Sequence, residues 1–223
     1  MKKLFILLCL FFLGSYSYSE DLSSDNPYQS FHDNGQLKTA TNFKNGLREG
    51  LHESFYQNGQ LKERGSFKNN KREGLWMSYD ENGQLKTKGN FNNGLREGLC
   101  QFFYEDGQLS WKINYKNGKR HGLTETYYKN GQLRVITYTK NGQFHGTFKS
   151  FDENGKLELT GNFKNNIWDG LWESYYQNGQ LERRGTVQNG ILDGPFELYH
   201  ENGQLKTRGN YINGKPSLLK SPE

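Results

Sequence analysis

The 24 residues from Gly170 to Asp193, GLWESYYQNGQLERRGTVQNGILD, hold two turn signals separated by two short runs rich in rings, leucine and charge. Asn178-Gly179 is the strongest kind of short hairpin signal, because both residue types tolerate positive φ, and Asn189-Gly190 is a second. The stretch therefore predicts a pair of antiparallel strands. It recurs in phase along the chain. Gly35, Gly59, Gly83, Gly107, Gly131, Gly155, Gly179 and Gly203 stand 24 residues apart, each preceded by Asn or, once, by Asp106. Eight units without insertion run from Asn26 to Ser217.

Numbering each unit so that Gly50, Gly74, Gly98, Gly122, Gly146, Gly170 and Gly194 take position 1 puts the turn glycines at position 10. The expected fold is all-β: an elongated, single-layer antiparallel meander of β-hairpin repeats, a solenoid in its repetition, with about sixteen strands. Residues 20–25 read as a short linker, 26–217 as the array and 218–223 as a tail. At about 10 Å per two-stranded unit, the ribbon is on the order of 75 to 80 Å long. Composition agrees with such a sheet. Phe and Tyr number 29 against 8 Val plus Ile, so the apolar faces are built from rings and leucines.

Which residues share a face depends on the first turn. A two-residue loop sets the leucines of position 12 (Leu37, Leu61, Leu85, Leu109, Leu133, Leu157, Leu181, Leu205) opposite position 7, which holds Asp80 and Asp152. A type I turn followed by a left-handed glycine, with a three-residue loop, instead sets them opposite the rings of position 6: Phe31, Phe55, Tyr79, Phe103, Tyr127, Phe151, Tyr175 and Tyr199. The second register keeps the acids out of the apolar face. Carried along the strand, it places Leu75 and Leu171 opposite Gly89 and Gly185, and assigns positions 2, 6, 12, 16 and 18 to the packed face. Trp76, Phe148, Trp172 and Phe196 of position 3, with Tyr56, Tyr104, Tyr128 and Tyr176 of position 7, then fall on the outer face beside the basic residues of positions 13 and 15. Rings beside cations suit an anionic lipid or a cell-wall glycan; equally, they pack across strands under lysine stems.

The first residues have a different composition. Lys2 and Lys3 precede an apolar run from Leu4 to Gly14 and then Ser15, Ser17 and Ser19, the order of a secretory signal, expected here as residues 1–19 and cleaved. Eleven apolar residues fall short of the roughly 20 needed to span a bilayer. Export places the chain in the periplasm, at the cell surface or outside. Cleavage lowers the net charge from +5 to +3, too balanced for a nucleic-acid footprint, and leaves Cys100 as the sole cysteine, read as a small apolar residue at position 3.

The second half of the unit, as in Tyr115 to Gly122 (YKNGKRHG) and Asn141 to Gly146 (NGQFHG), is similar to the MORN repeat, and the YYxNGQL of the first half resembles the bacterial MORN-repeat variant of the YwqK antitoxin type. The resemblance implies an elongated antiparallel sheet and scaffold or interaction roles. For some members it implies lipid-head-group contact, and the antitoxin type implies neutralising a toxin partner. The closing histidine is Glu49, Glu73, Glu97, Asp169 or Asp193 in other units, so a turn-stabilising side chain is expected there.

No chemistry competes with that reading. His121 and His145 are one repeat, about 10 Å, apart, too far to share a zinc that binds at about 2 Å. Glu53, Glu125, Glu173 and Glu197 recur in one position and so in like environments, whereas an acid-base pair needs unlike ones. No nucleophile, cofactor or metal set is expected. The sequence points to a non-catalytic exported protein that binds another protein or itself, with antitoxin or immunity function and envelope ligand binding as alternatives.

Overall fold

The computed structural model describes residues 27–220, with side chains through Ser217. The expected signal segment lies outside the described residues. Strands β1 to β6 are Tyr28–Phe31, Leu37–Lys44, Leu47–Phe55, Leu61–Lys68, Lys71–Tyr79 and Leu85–Asn92. Strands β7 to β12 are Leu95–Phe103, Leu109–Lys116, Lys119–Tyr127, Leu133–Lys140, Gln143–Phe151 and Leu157–Lys164. Strands β13 to β18 are Ile167–Trp168, Gly170–Tyr175, Leu181–Gln188, Ile191–Tyr199, Leu205–Ile212 and Lys215–Lys220. They form one open antiparallel sheet of 18 strands, each hairpin following the last. The count exceeds sixteen for two reasons: Asp169 interrupts one strand to give β13 and β14, and β18 adds a strand after the eighth repeat.

The first turn is the type I turn with a left-handed glycine. Gly35 N–H donates to His32 O at 2.9 Å, His32 N–H to Gln36 O at 2.8 Å, and Gly35 has φ +81°. The leucines of position 12 consequently meet the rings of position 6, as in Phe55 with Leu61 and Tyr175 with Leu181. The second turn is a two-residue one in which both residues are left-handed: Asn45 and Gly46 have φ 52° and 75°. Asn70 and Asn166 hold φ 65° and 70° where other repeats have glycine, which the side chain of asparagine tolerates.

Beyond position 6 the observed register departs from the expected one. Each hairpin carries a bulge between positions 5 and 6, so Trp76 faces Gly89 and Leu75 faces Asn90, and Trp172 faces Gly185 and Leu171 faces Thr186. This one-residue step exchanges the faces, since side chains alternate with period two. Position 3 therefore joins positions 14, 16 and 18 on the packed face: Trp76 is 3% exposed, while Leu75 of position 2 is 43% exposed. All four expected outer rings lie on the packed face instead, Trp76 buried and Phe148, Trp172 and Phe196 half-buried.

The step succeeds because positions 3 and 16 share volume. A Cβ at Gly65 or Gly89 would overlap Trp76 or Cys100, and one at Gly185 would crowd both Trp172 and Phe196. At Ile113, the largest residue at position 16, both position-3 neighbours are small, Cys100 and Thr124, while the smaller Thr137 lies between Thr124 and Phe148. The fifth repeat, whose Thr137 and Thr139 replace the usual glycine and ring, buries both and pairs as the others do.

Repeats are tied in series by side chains. Tyr56, Tyr104, Tyr128 and Tyr176 donate their hydroxyls to Tyr79 O, Tyr127 O, Phe151 O and Tyr199 O of the next repeat, at 2.9, 2.6, 2.9 and 2.8 Å. Asn34, Asn58, Asn130 and Asn178 donate to the backbone 23 residues on, at 2.7 to 2.8 Å. At the other edge, Glu49, Glu73 and Glu97 accept the Asn69, Asn93 and Asn117 amides at 2.8 to 2.9 Å. His121 and His145 occupy the same position, but their buried Nδ1 atoms have no hydrogen-bond partner among the described residues, and the expected backbone bond is made by the carboxylates.

Two substitutions test these contacts. Gly65→Ala is expected to lower unfolding stability by about 1–3 kcal/mol through overpacking against Trp76, whereas a neutral result in denaturant unfolding removes the volume-sharing account. Tyr128→Phe is expected to cost about 1 kcal/mol, the net worth of one hydrogen bond, with hydrogen exchange accelerated at the joint between the fifth and sixth repeats.

Candidate functional site

The packed face is the candidate site, and its character follows from position 23, which lies over the rings of positions 3 and 18. In the first four repeats this residue is Arg48, Arg72, Arg96 and Arg120. The Arg48 guanidinium sits 4.0 Å from the Phe67 centroid and that of Arg72 4.1 Å from Trp76; Arg96 lies 5.6 Å from Tyr115 and Arg120 5.9 Å from Trp111. Cations at these distances are attracted to the ring faces. Beneath Arg48 and Arg72 the rings form a column from His52 to Phe91: His52 stacks on Trp76 at 5.8 Å, Phe67 meets Trp76 edge-on at 5.0 Å, and Trp76 meets Phe91 at 6.3 Å.

Four adjacent strands, β2 to β5, bring together a constellation that no local motif announces. His52 Nδ1 is 2.7 Å from Thr41 Oγ1, His52 Nε2 is 3.5 Å from Glu63 Oε1, and Arg72 Nη2 donates to Glu63 Oε2 at 2.9 Å. The His52 ring and the Arg72 guanidinium hold the Glu63 carboxyl below its ordinary value. A hydroxyl, an imidazole and a carboxylate in series suggest a nucleophile relay, but Thr41 is only 5% exposed and its hydroxyl is spent on His52. The set fills the slot that Gly65 and Trp76 fill one repeat later. A cleft of about 650 Å³ opens beside it, bordered by His32, Lys38, Arg48, Lys62 and Lys71.

In the last four repeats position 23 becomes Phe144, Trp168, Leu192 and Pro216. The Trp168 ring lies over Gly161, where any Cβ would overlap it, and against Phe163 at 4.4 Å. Between Leu159, Trp168, Trp172, Val187 and Leu192 a cleft of about 320 Å³ is walled by apolar side chains. The rings here are half-buried, unlike Phe67 and Trp76 under the arginines.

The opposite face is a charge ladder. Glu53 with Arg64, Glu125 with Lys112, and Glu173 and Glu197 with Arg184 pair at 2.9 to 3.5 Å. Burial and the bond to Glu173 push the Tyr175 hydroxyl up to about 12. The position-4 carboxylates are thus cross-strand partners for cations. Leu51, Leu75, Leu99 and Leu171 stand exposed beside them. Cys100, the residue read as small and apolar, is buried, and burial raises its thiol. Among the described residues no group of three His, Cys, Asp or Glu side chains is placed to hold a metal ion.

Glu63 supplies a pH test. A folded carboxyl below its ordinary value near 4.5 contributes stability above that value, and the contribution is lost as pH falls through the folded pKa. The wild-type melting temperature is therefore expected to exceed that of Glu63→Gln at neutral pH and to converge on it in acid. Parallel acid branches for the two proteins contradict the assignment.

Comparison with known families matches the MORN repeat variant at residues 25–45, 48–69, 72–93, 96–117, 120–141, 144–165, 168–189 and 192–213, and the MORN repeat at 64–75. No curated protein matches the chain. Eight family matches, in phase with the 24-residue unit and with the hairpins of the sheet, cover most of the sequence, and the chain belongs to the MORN repeat variant family.

Proposed function

We propose that the protein is a non-catalytic scaffold that binds another protein along the ribbon. MORN repeats are commonly protein or membrane interaction modules, and repeat sheets of this kind present one continuous surface over many modules. One observation carries the reading to a surface rather than a reactive centre. The packed face is built from the same few register positions in every repeat, with glycine at position 16 in five of the eight, and its series of Thr41, His52 and Glu63 has a buried hydroxyl.

The order of residues 1–19, basic then apolar then small, supports export to the periplasm, the cell surface or beyond. Neutralisation of a toxin is a special case of the same binding. The envelope-ligand alternative, an anionic lipid or glycan held by outer rings, has less support: its position-3 rings are packed and its position-7 tyrosine hydroxyls are bonded to neighbouring repeats.

Crosslinking in intact cells through photoreactive groups at Arg96 and Leu192, followed by cell fractionation, tests the scaffold and its location together. A discrete crosslinked protein species in the envelope or exported fraction is the expected result. Uncrosslinked monomer at every site, including positions on the charge-ladder face, defeats the scaffold reading.

A further inference from the structure

The packed face changes character once along its length, and the change lies in a single row. Position 23 carries arginine in four successive repeats and an apolar residue in the next four, at the same depth over the same sheet. Arg72 has a carboxylate partner in Glu63, and among the described residues Arg48, Arg96 and Arg120 have none. A guanidinium resting on a ring retains in-plane N–H donors in the fork geometry that suits a carboxylate. The row therefore begins with cations ready for acidic side chains. It continues into the cleft between Trp168, Trp172 and Leu192, whose volume of about 320 Å³ suits one or two apolar side chains.

We propose that this row is a bipartite groove for an extended protein segment in which acidic residues precede or follow a block of apolar ones, the acids on Arg48, Arg96 and Arg120 and an apolar anchor in the Trp168–Trp172 cleft. This deepens the scaffold reading and rests on it. Spacing defines the segment. Successive repeats advance about 10 Å, and an extended chain in the polyproline-II conformation rises about 3.1 Å per residue with three residues per turn, so every third residue meets the next repeat from the same side. Arg96 and Arg120 then match acids about three residues apart, and Arg48, two repeats before Arg96, an acid about six residues away. From Arg48 to Leu192 is six repeats, about 60 Å or about 18 residues of extended chain. A membrane fits the row less well. A bilayer presents its anions and its hydrocarbon in separate layers, whereas the arginines and the apolar cleft follow one another along a single register position of one sheet.

The test uses the full chain and synthetic 18-residue peptides, read by tryptophan fluorescence and calorimetry over a range of salt. One peptide carries glutamate at every third position of its first half and leucine and phenylalanine at every third position of its second half. A second has the same composition with acids and apolar residues interleaved. The blocked peptide is expected to bind at least about tenfold more tightly. The double substitution Arg96→Gln with Arg120→Gln is expected to weaken it about tenfold and flatten the salt dependence, while lysine at both positions keeps that dependence. Leu192→Asp is expected to weaken it about tenfold with the salt dependence intact. Far-UV circular dichroism and melting confirm that each variant is folded.

Equal binding of the two peptides, or wild-type binding by both the arginine and the Leu192 variants, overturns the proposal. Binding to phosphatidylserine vesicles with no binding to the blocked peptide overturns it in favour of a lipid surface. The scaffold reading fails separately. A partner crosslinked only through the face of Glu53 and Leu75 removes the groove and keeps the scaffold, whereas no crosslinked partner on either face removes both.

Discussion

A bare backbone at position 16 with a side chain from position 3 laid over it is the contact on which the ribbon depends. A single-layer sheet has no second layer to cover its apolar face, so rings can escape water only by lying flat on the strands beside them. Glycine makes room for that at Gly65, Gly89 and Gly185, and at Gly161 it makes room for Trp168 of position 23. The bulge between positions 5 and 6 brings the two positions opposite each other, and the arginines of position 23 close the column from above. Removing the bulge would send the tryptophans to the charge-ladder face and the leucines of position 2 to the inside.

The joints between repeats follow a similar economy of parts. Tyrosine at position 7 reaches forward to the next repeat's backbone, whereas Asp80 and Asp152 at the same position turn back and accept amides of their own turns. One residue position thus sets whether a module is latched to its neighbour or stiffens its own turn. The carboxylates of position 24 close the far edge, and the two histidines that replace them in the fourth and fifth repeats leave Nδ1 without a partner. Thr124 and Thr137, in the same region, also bury hydroxyls that lack partners.

Much of the fold is legible in the sequence because turn chemistry is local. Asn-Gly at 24-residue intervals, with Asp80 and Asp152 ruling out the shorter loop, is enough to derive the type I turn, the facing of position 12 on position 6, and the open antiparallel meander. The faces of positions 2 and 3 were not legible by the same route, because the bulge that exchanges them sits in the strand with no glycine or proline to mark it. The volume trade between positions 3 and 16 carried the missing signal: Trp76 goes with Gly65 and Gly89, and Cys100 and Thr124 go with Ile113. The set of Thr41, His52 and Glu63 was hidden for another reason. Its members are 11 residues apart on three strands, and only the observed register aligns them.

The reach of the inter-repeat bonds sets how such a chain comes into being. The latches between neighbouring repeats span only 20 to 23 residues. A polypeptide emerging from its N-terminus can therefore complete each hairpin and fasten it to the one before while the rest is still unmade, with no distant segment to await. Growth of the structure is then additive, and the gain or loss of a whole 24-residue cassette leaves every surviving joint with the partners it had.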